Sequence, residues 1–147
     1  MAPVGVSSPR VEAATAPTSP VGAHPDAFPV PNATWAGFRS QMRRVGERFV
    51  SHGHADQFDA LLWSNDAASG AWGGDGDFPD GSAFVEEAVG HGPSGDRPAG
   101  LLVMVKHESA WAFAAFAPNG DAAAAALVAS CPDCHRDAPR DFVFRFR

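Results

Sequence analysis

The sequence is short of cysteine, of basic residues and of long apolar runs, and each shortage excludes a class of protein. Only two of its 147 residues are cysteine, and both lie in one short motif, so none remains for a structural disulfide. The formal net charge of -6 argues against binding to nucleic acid or to an anionic membrane surface. No apolar run reaches the length of a transmembrane helix, so we expect no membrane span. The length predicts one domain that buries its own core.

Both cysteines occur in the run Cys131-Pro132-Asp133-Cys134-His135, close to the C-terminus. This C-x-x-C-H spacing is the attachment signature of c-type haem, in which two thiols form thioether bonds and the histidine ligates the iron. We therefore expect one covalent haem c per chain, attached at Cys131 and Cys134, with His135 as the iron ligand. Two alternatives stay open: half of a zinc site completed by His52 and His54, and a redox dithiol. Haem is favoured because the histidine directly follows the second cysteine, which neither alternative requires.

The N-terminal segment differs in composition from the rest of the chain. Residues 1–31 hold seven of the thirteen prolines, among small and polar residues, which predicts a disordered tether before a folded domain over residues 32–147. The first residues lack the charged and apolar regions of a secretory signal. Covalent haem attachment normally takes place outside the bacterial cytoplasm. We therefore expect a periplasmic or exported protein whose signal was removed or lies upstream of this start.

Hydrophobic periodicity predicts an α+β domain, mainly antiparallel sheet with flanking helices, in which the haem motif follows an alanine-rich helix. A first helix is expected from an N-cap at Asn32, with an apolar stripe at Trp35, Phe38, Met42, Val45 and Phe49. Strands are expected over 58–63, 82–89, 101–107 and 111–116, a short helix over 65–72, a turn at 79–81 and a polar loop over 90–100. Asp121 should cap the alanine-rich helix over 122–130, and period-two alternation predicts a last strand over 142–147.

Several short pieces, taken in order from about Trp35 to Phe144, carry a resemblance. They are Asn65 with Ala67, Phe78-Pro79-Asp80-Gly81-Ser82, Met104-Val105-Lys106, Trp111-Ala112-Phe113, Cys131-x-x-Cys134-His135 and Asp141-Phe142-Val143-Phe144. The sequence resembles the cytochrome P-460 family and its sheet-based relative, cytochrome c′-beta. The resemblance implies a mostly antiparallel β fold, a homodimer, and a five-coordinate haem c with His135 on the proximal side and an open distal face.

The resemblance also implies two kinds of chemistry. Some family members oxidise hydroxylamine with a lysine that is cross-linked to the haem edge, whereas others lack the cross-link and bind nitric oxide beneath phenylalanines. The position that matches the cross-linking lysine, five residues after Gly81, holds Glu86 here, which disfavours hydroxylamine oxidation. Lys106 matches a different family lysine and is kept as a candidate cofactor-binding residue. The alternative for Lys106 is a sheet lysine whose ammonium reaches solvent.

The strand expected over 82–89 supplies two further candidates. Alternation places Phe84 and Glu86 on one face of the sheet, so both should line the haem pocket if either does. Phe84 is a candidate cofactor-binding residue, and Glu86 is the candidate distal catalytic residue, where a carboxylate can relay protons. The alternative for Glu86 is a solvated carboxylate at a strand edge. His52 and His54 bracket a glycine in a predicted surface turn, and either is a candidate sixth ligand.

Three functions follow in order of preference. The first is a monohaem c-type cytochrome that binds a small gaseous or nitrogen-oxide ligand, nitric oxide first, because an apolar distal wall admits neutral diatomic molecules. The second is a haem-dependent oxidoreductase that acts on hydroxylamine or nitric oxide. The third is an electron carrier, which needs a filled sixth position, although no methionine follows His135. A redox partner protein is a further candidate partner.

Overall fold

The structure is a computed structural model that describes residues 37–54, 57–123 and 128–145. The predicted tether and the predicted N-cap Asn32 lie outside these ranges. The elements, in chain order, are α1 (Phe38–Gln41), β1 (Arg43–Val50), a 3-10 turn (His52–His54), β2 (Asp59–Ser64), α2 (Asp66–Ala71), β3 (Ala83–Gly92), β4 (Gly95–His107), β5 (Ala110–Phe116) and α3 (Cys131–His135). No helix in the described part of the chain is long and apolar enough to cross a membrane.

The five strands form one antiparallel sheet in the order β1-β2-β3-β4-β5, so each strand pairs with its neighbour in sequence. The predicted α+β class with a mainly antiparallel sheet is therefore confirmed. Successive side chains of a strand point to opposite faces, and the two faces of this sheet carry separate apolar clusters. One cluster contains Phe38, Val85, Val103, Val105 and Phe116. The other contains Leu62, Phe78, Phe84, Trp111 and Val143, and the candidate site lies on this second face.

From residue 37 onward, the segment predicted as the first helix is mostly a strand. Helix α1 spans only Phe38–Gln41, and β1 then pairs with β2, with a register shift between Val45 and Phe49 and a positive φ of 66° at Gly46. Residues four apart share a face in a strand as well as in a helix, so the apolar spacing did not separate the two structures. Phe38 packs in the first cluster, whereas Val45 and Phe49 pack against the second, on the other face of the sheet.

The loop predicted over residues 90–100 is also wrong, because β3 and β4 continue through it as a long hairpin. Strand β3 runs to Gly92 and β4 begins at Gly95. Charged side chains hold this outer end together. Asp96 accepts from the guanidinium of Arg48 at 2.6 Å and from His91 Nδ1 at 3.0 Å. These contacts between strands are not visible in the local glycine and proline content that predicted a loop.

The short helix and the turn before β3 agree with prediction, and Asn65 joins them. The Asn65 Oδ1 accepts from the backbone amide of Ala68 at 3.0 Å, which caps α2, and from the amide of Ala83 at 3.1 Å. The Asn65 amide donates to the carbonyl of Gly81 at 2.7 Å. Gly81 has a φ of 85°, as expected for the glycine of this turn. One side chain thus fixes the start of β3, the strand that carries Phe84 and Glu86.

Two predictions near the C-terminus are wrong in part or in whole. The alanine-rich helix does not begin at Ala122, which forms a bridge with Phe116, and Asp121 does not cap it there; residues 124–127 lie outside the described residues, and Val128 is helical. The strand predicted over 142–147 is replaced, as far as residue 145, by a turn in which Arg140 bridges Val143 and Phe142 has a φ of 64°. An alternating segment forms a strand only where a neighbouring strand is available to pair with it, and none pairs with this segment in the described part of the chain.

Candidate functional site

A cavity of about 300 Å³ lies on the second face of the sheet, against the cysteine motif. This volume is at the lower end of the range for small-molecule and cofactor pockets. Apolar side chains form most of its wall, and the sheet supplies Leu62, Phe84, Leu102, Met104 and Phe113. The three candidate residues of the motif, Cys131, Cys134 and His135, line the same cavity. The structure therefore brings the predicted attachment residues and Phe84 together around one apolar space.

Helix α3 presents the two thiols on one helical turn. Cys131 is partly buried and Cys134 is exposed, and neither forms a disulfide. Burial, and secondarily the neighbouring Cys134 thiol, raise the pKa of Cys131 above its ordinary value. A reactive dithiol or a zinc site requires thiolates, which a lowered pKa would favour. The environment of Cys131 is therefore opposite to the one that a redox dithiol needs.

The imidazole of His135 is held in one orientation. Its Nδ1 donates to the backbone carbonyl of Phe142 at 2.7 Å, and its ring packs 5.0 Å from the ring of Phe113 and 5.4 Å from that of Phe144. Burial lowers the pKa of His135, so the ring is neutral at pH 7. With the proton on Nδ1 committed to a carbonyl, Nε2 keeps its lone pair for a metal. This is the protonation and hydrogen bonding that an iron ligand requires.

A polar group of three side chains lines another part of the cavity wall. The Ser51 hydroxyl donates to Glu86 Oε1 at 2.7 Å. The Nδ1 of His54 contacts both Glu86 Oε1, at 3.1 Å, and the Ser51 oxygen, at 2.8 Å. The Glu86 side chain is 14% exposed, and the ring of His54 stacks on Phe58 with centroids 5.7 Å apart. Glu86 therefore lines the cavity with Phe84, as strand alternation predicted, and is not a solvated carboxylate at a strand edge.

Aromatic side chains support the wall behind Phe84. Its ring is 3% exposed and lies edge-on to Phe78 with centroids 5.2 Å apart. The rings of Trp72 and Trp111 lie 5.6 Å and 6.0 Å from it. Such pairs stabilise a fixed ring arrangement beyond the burial of area alone. Phe84 is thus a rigid part of the cavity wall.

Lys106 does not have the environment that either sequence hypothesis gave it. The residue is 4% exposed, so its ammonium does not reach solvent, and that alternative is wrong. Its Nζ donates to the Asp141 carboxylate at 2.8 Å, and Lys106 is not among the described residues that line the cavity. Lys106 is also the single lysine of the sequence. Its assignment as a cofactor-binding residue therefore has no contact with the cavity to support it.

The zinc alternative lacks a suitable set of ligands. His52 and His54 line the cavity together with both cysteines. Within residues 37–54, 57–123 and 128–145, however, no three His, Cys, Asp or Glu side chains come close enough together to hold a metal ion. The residues present fit a large apolar group that is anchored by thiols and an imidazole better than a bare metal ion.

Sequence reasoning missed four contributors to this site. Ser51 had no local signal, and His54 was considered only as a zinc ligand, a surface residue or a sixth ligand, without its contacts to Glu86 and Ser51. Met104 lines the cavity between Phe84 and Phe113, its partners on neighbouring strands. Asp141, which binds Lys106, lies 35 residues further along the chain. One sequence signal was available for Met104. It stands two residues before Lys106 on β4, so alternation places both side chains on the same face of the sheet.

The fold and the site together define a small antiparallel β protein whose apolar cavity is lined in part by a Cys-x-x-Cys-His helix. The profile described as cytochrome P460 matches residues 35–145, which is most of the chain. The chain belongs to the cytochrome P460 family, and membership implies a haem cofactor. A comparison with curated proteins finds no similar sequence.

Proposed function

We propose that this protein is a monohaem c-type cytochrome that binds nitric oxide at an open distal face. One haem is attached through Cys131 and Cys134, and His135 is the proximal ligand. The observation that carries the proposal is the hydrogen bond from His135 Nδ1 to the Phe142 carbonyl, beside two thiols and an apolar cavity. A bound haem would supply an iron that can take one small ligand in addition to the histidine. All other roles in the site belong to side chains of the protein.

The distal side is assigned to the polar group of Ser51, His54 and Glu86 together with the apolar side chains beside it. Apolar contacts from Leu62 and Phe84 exclude water and disfavour charged ligands, and a neutral diatomic molecule crosses such a wall at little cost. Glu86 is held by Ser51 and His54, so its carboxylate has partners within the wall. A neutral ligand such as nitric oxide does not have to displace them.

The environment of Lys106 supports ligand binding over hydroxylamine oxidation. A cross-link to porphyrin needs a lysine at the haem edge, and the single lysine of this sequence is buried and paired with Asp141. Glu86 occupies the position that matches the cross-linking lysine. A carboxylate at this position does not provide the amine of that cross-link.

A second candidate, an oxidoreductase acting on hydroxylamine or nitric oxide, is favoured by the contacts of His54. Its Nδ1 proton is shared between Glu86 and Ser51, so in the neutral ring Nε2 carries the lone pair. An imidazole that is oriented by a carboxylate is a suitable general base. Hydroxylamine bound in the cavity would meet a proton acceptor here.

Optical titration separates these candidates. The reduced protein, matured with haem c machinery, should show a high-spin five-coordinate spectrum and bind nitric oxide stoichiometrically. Glu86→Gln should change the nitric oxide affinity less than about threefold, whereas general-base catalysis would lose on the order of 10²- to 10⁴-fold in hydroxylamine turnover. Glu87→Gln is the matched control, because Glu87 is adjacent in sequence but lies on the other face, bound to Arg39 and Trp63.

Two spectra would contradict the proposal. A broad, strongly red-shifted Soret band in the reduced protein would indicate a cross-linked porphyrin and favour the oxidoreductase. A low-spin six-coordinate spectrum would favour the electron carrier, with Met104 or His54 as the sixth ligand. In that case Met104→Leu and His54→Phe identify which of the two residues binds.

The remaining parts of the proposal rest on family resemblance and on where haem c is made. We propose that the protein is exported or periplasmic, because covalent attachment normally takes place outside the cytoplasm. A homodimer is expected from the resemblance, and a redox partner protein would set the oxidation state of the iron. Size-exclusion chromatography with light scattering tests the dimer directly.

A further inference from the structure

The Asp141 carboxylate is the meeting point of three segments of the fold. Its Oδ2 accepts from Lys106 Nζ on β4 at 2.8 Å and from the backbone amide of Phe78 at 2.9 Å. Its Oδ1 accepts from the indole of Trp111 on β5 at 3.2 Å. The side chains of Lys106 and Asp141 are only 5% and 10% exposed. A buried ion pair is retained at low cost only when further hydrogen bonds satisfy it, and here they do.

This network holds a tight turn in an unfavourable backbone conformation. Asp141 and Phe142 have φ values of 44° and 64°, in the left-handed region that residues with a Cβ seldom adopt. The amide of Val143 donates to the carbonyl of Arg140 at 2.8 Å, which closes the turn over these two residues. Two successive left-handed residues without glycine persist only when their surroundings fix them. The three donors to Asp141 provide that restraint.

The turn determines where the carbonyl of Phe142 points. In the observed conformation this carbonyl accepts from His135 Nδ1 at 2.7 Å. Relaxation of Asp141 and Phe142 to ordinary φ values would rotate the peptide groups on both sides of Phe142. The hydrogen bond to His135 would then lengthen or break. The ring of His135 would lose the contact that fixes its tautomer and its orientation.

We propose that Lys106 and Asp141 are positioning residues for the proximal histidine. Their ion pair holds the turn over 140–143, and the turn presents the Phe142 carbonyl to His135. This inference rests on the proposed function in one respect, the assignment of His135 as the iron ligand. It adds a role for the single lysine of the chain, which acts on the iron site through Asp141 and a backbone carbonyl, without entering the cavity.

The hydrogen bond at Nδ1 tunes the iron site in two measurable ways. A stronger acceptor makes the imidazole a better electron donor, which strengthens the iron–histidine bond and stabilises the oxidised iron. Loss of the acceptor should therefore lower the iron–histidine stretching frequency and move the reduction potential to a more positive value. It should also make His135 easier to displace when nitric oxide binds.

The test compares haem-loaded variants by resonance Raman spectroscopy, potentiometry and nitric oxide kinetics. Lys106→Met removes the ammonium with little change in side-chain length. It should lower the iron–histidine frequency, raise the potential and speed loss of the histidine bond by on the order of 10-fold, the lower end of the effect that losing an outer partner has on metal affinity or activity, because Lys106 acts through Asp141. Arg136→Gln is the control, because it breaks an exposed ion pair with Asp133 beside His135 and should leave all three readouts unchanged.

Two results would overturn the inference. The first is a haem-loaded Lys106→Met protein with the wild-type frequency and potential, since the ion pair would then be only structural. The second applies if Lys106→Met does not mature. Trp111→Phe removes one donor to Asp141 without removing a charge, and an unshifted iron–histidine frequency in that variant would also overturn the inference. A wild-type protein that binds nitric oxide but shows no iron–histidine band would instead contradict the assignment of His135, which is a failure of the proposed function.

Discussion

Replacing Phe84 by alanine should weaken the fold and alter the haem pocket at the same time. The Phe84 ring is 3% exposed, contacts three aromatic rings and forms part of the cavity wall. Phenylalanine to alanine in a core costs about 3–5 kcal/mol. Because one side of this ring borders the cavity and has fewer packed neighbours there, we expect the lower figure, about 3 kcal/mol. For a domain of this size, that loss lowers Tm by on the order of 10–20 °C.

Phe38→Ala is the matched control for this experiment. Phe38 is 4% exposed and lies edge-on to Trp63 with centroids 5.4 Å apart, but it packs on the opposite face of the sheet. Urea unfolding of the haem-loaded proteins should give comparable losses for the two variants. Only Phe84→Ala should shift the Soret band and raise the association rate of a bulky ligand such as an alkyl isocyanide. Equal ligand kinetics in the two variants, or a loss below about 1 kcal/mol for Phe84→Ala, would refute this description of the wall.

Two further predictions concern stability. Hydrogen bonds to Asp59 and then to Asp96 raise the pKa of His91, so its stabilising contribution is full at low pH and is lost as pH rises through that raised value. Urea unfolding at pH 5 and pH 8 should therefore show a larger loss with pH for wild type than for His91→Gln, and parallel losses would contradict it. Asn65→Ala removes a helix cap and the donor to the Gly81 carbonyl, and should lower the free energy of unfolding by about 1–3 kcal/mol. Asn65→Asp keeps the cap and should lose less; an equal loss would show that the cap contributes nothing.

The parts of the fold that the sequence predicted well are those with strong local signals. Strands β2 to β5 follow apolar runs and turn residues, and the Cys131–His135 motif is a contiguous pattern. The helix predicted from the apolar stripe that contains Val45 and Phe49 was wrong, because a spacing of four residues fits a bulged strand as well as a helix. The loop prediction between β3 and β4 failed because the two strands stay paired from Val89 with Pro98 to Gly92 with Gly95, whereas the local glycine and proline content predicts a break.

In the candidate site, too, the residues with a local sequence signal were predicted and those without one were not. Phe84 and Glu86 were placed on one face by alternation alone, and the structure puts both on the cavity wall. The partners of Lys106 and His135 depend instead on Asp141 and on the left-handed φ of Phe142, which no local pattern indicates. Contacts between residues 35 positions apart in sequence arise from the tertiary fold, so a single sequence cannot supply them.

The intact mass of the protein, produced together with haem c maturation machinery, tests the central claim most directly. We predict the mass of the chain plus one haem, a haem that stays on the peptide containing Cys131 and Cys134 after proteolysis, and loss of the added mass when both cysteines are replaced by alanine. A protein that carries the mass of the chain alone, or a haem that is removed by acid extraction, would contradict covalent attachment at this motif.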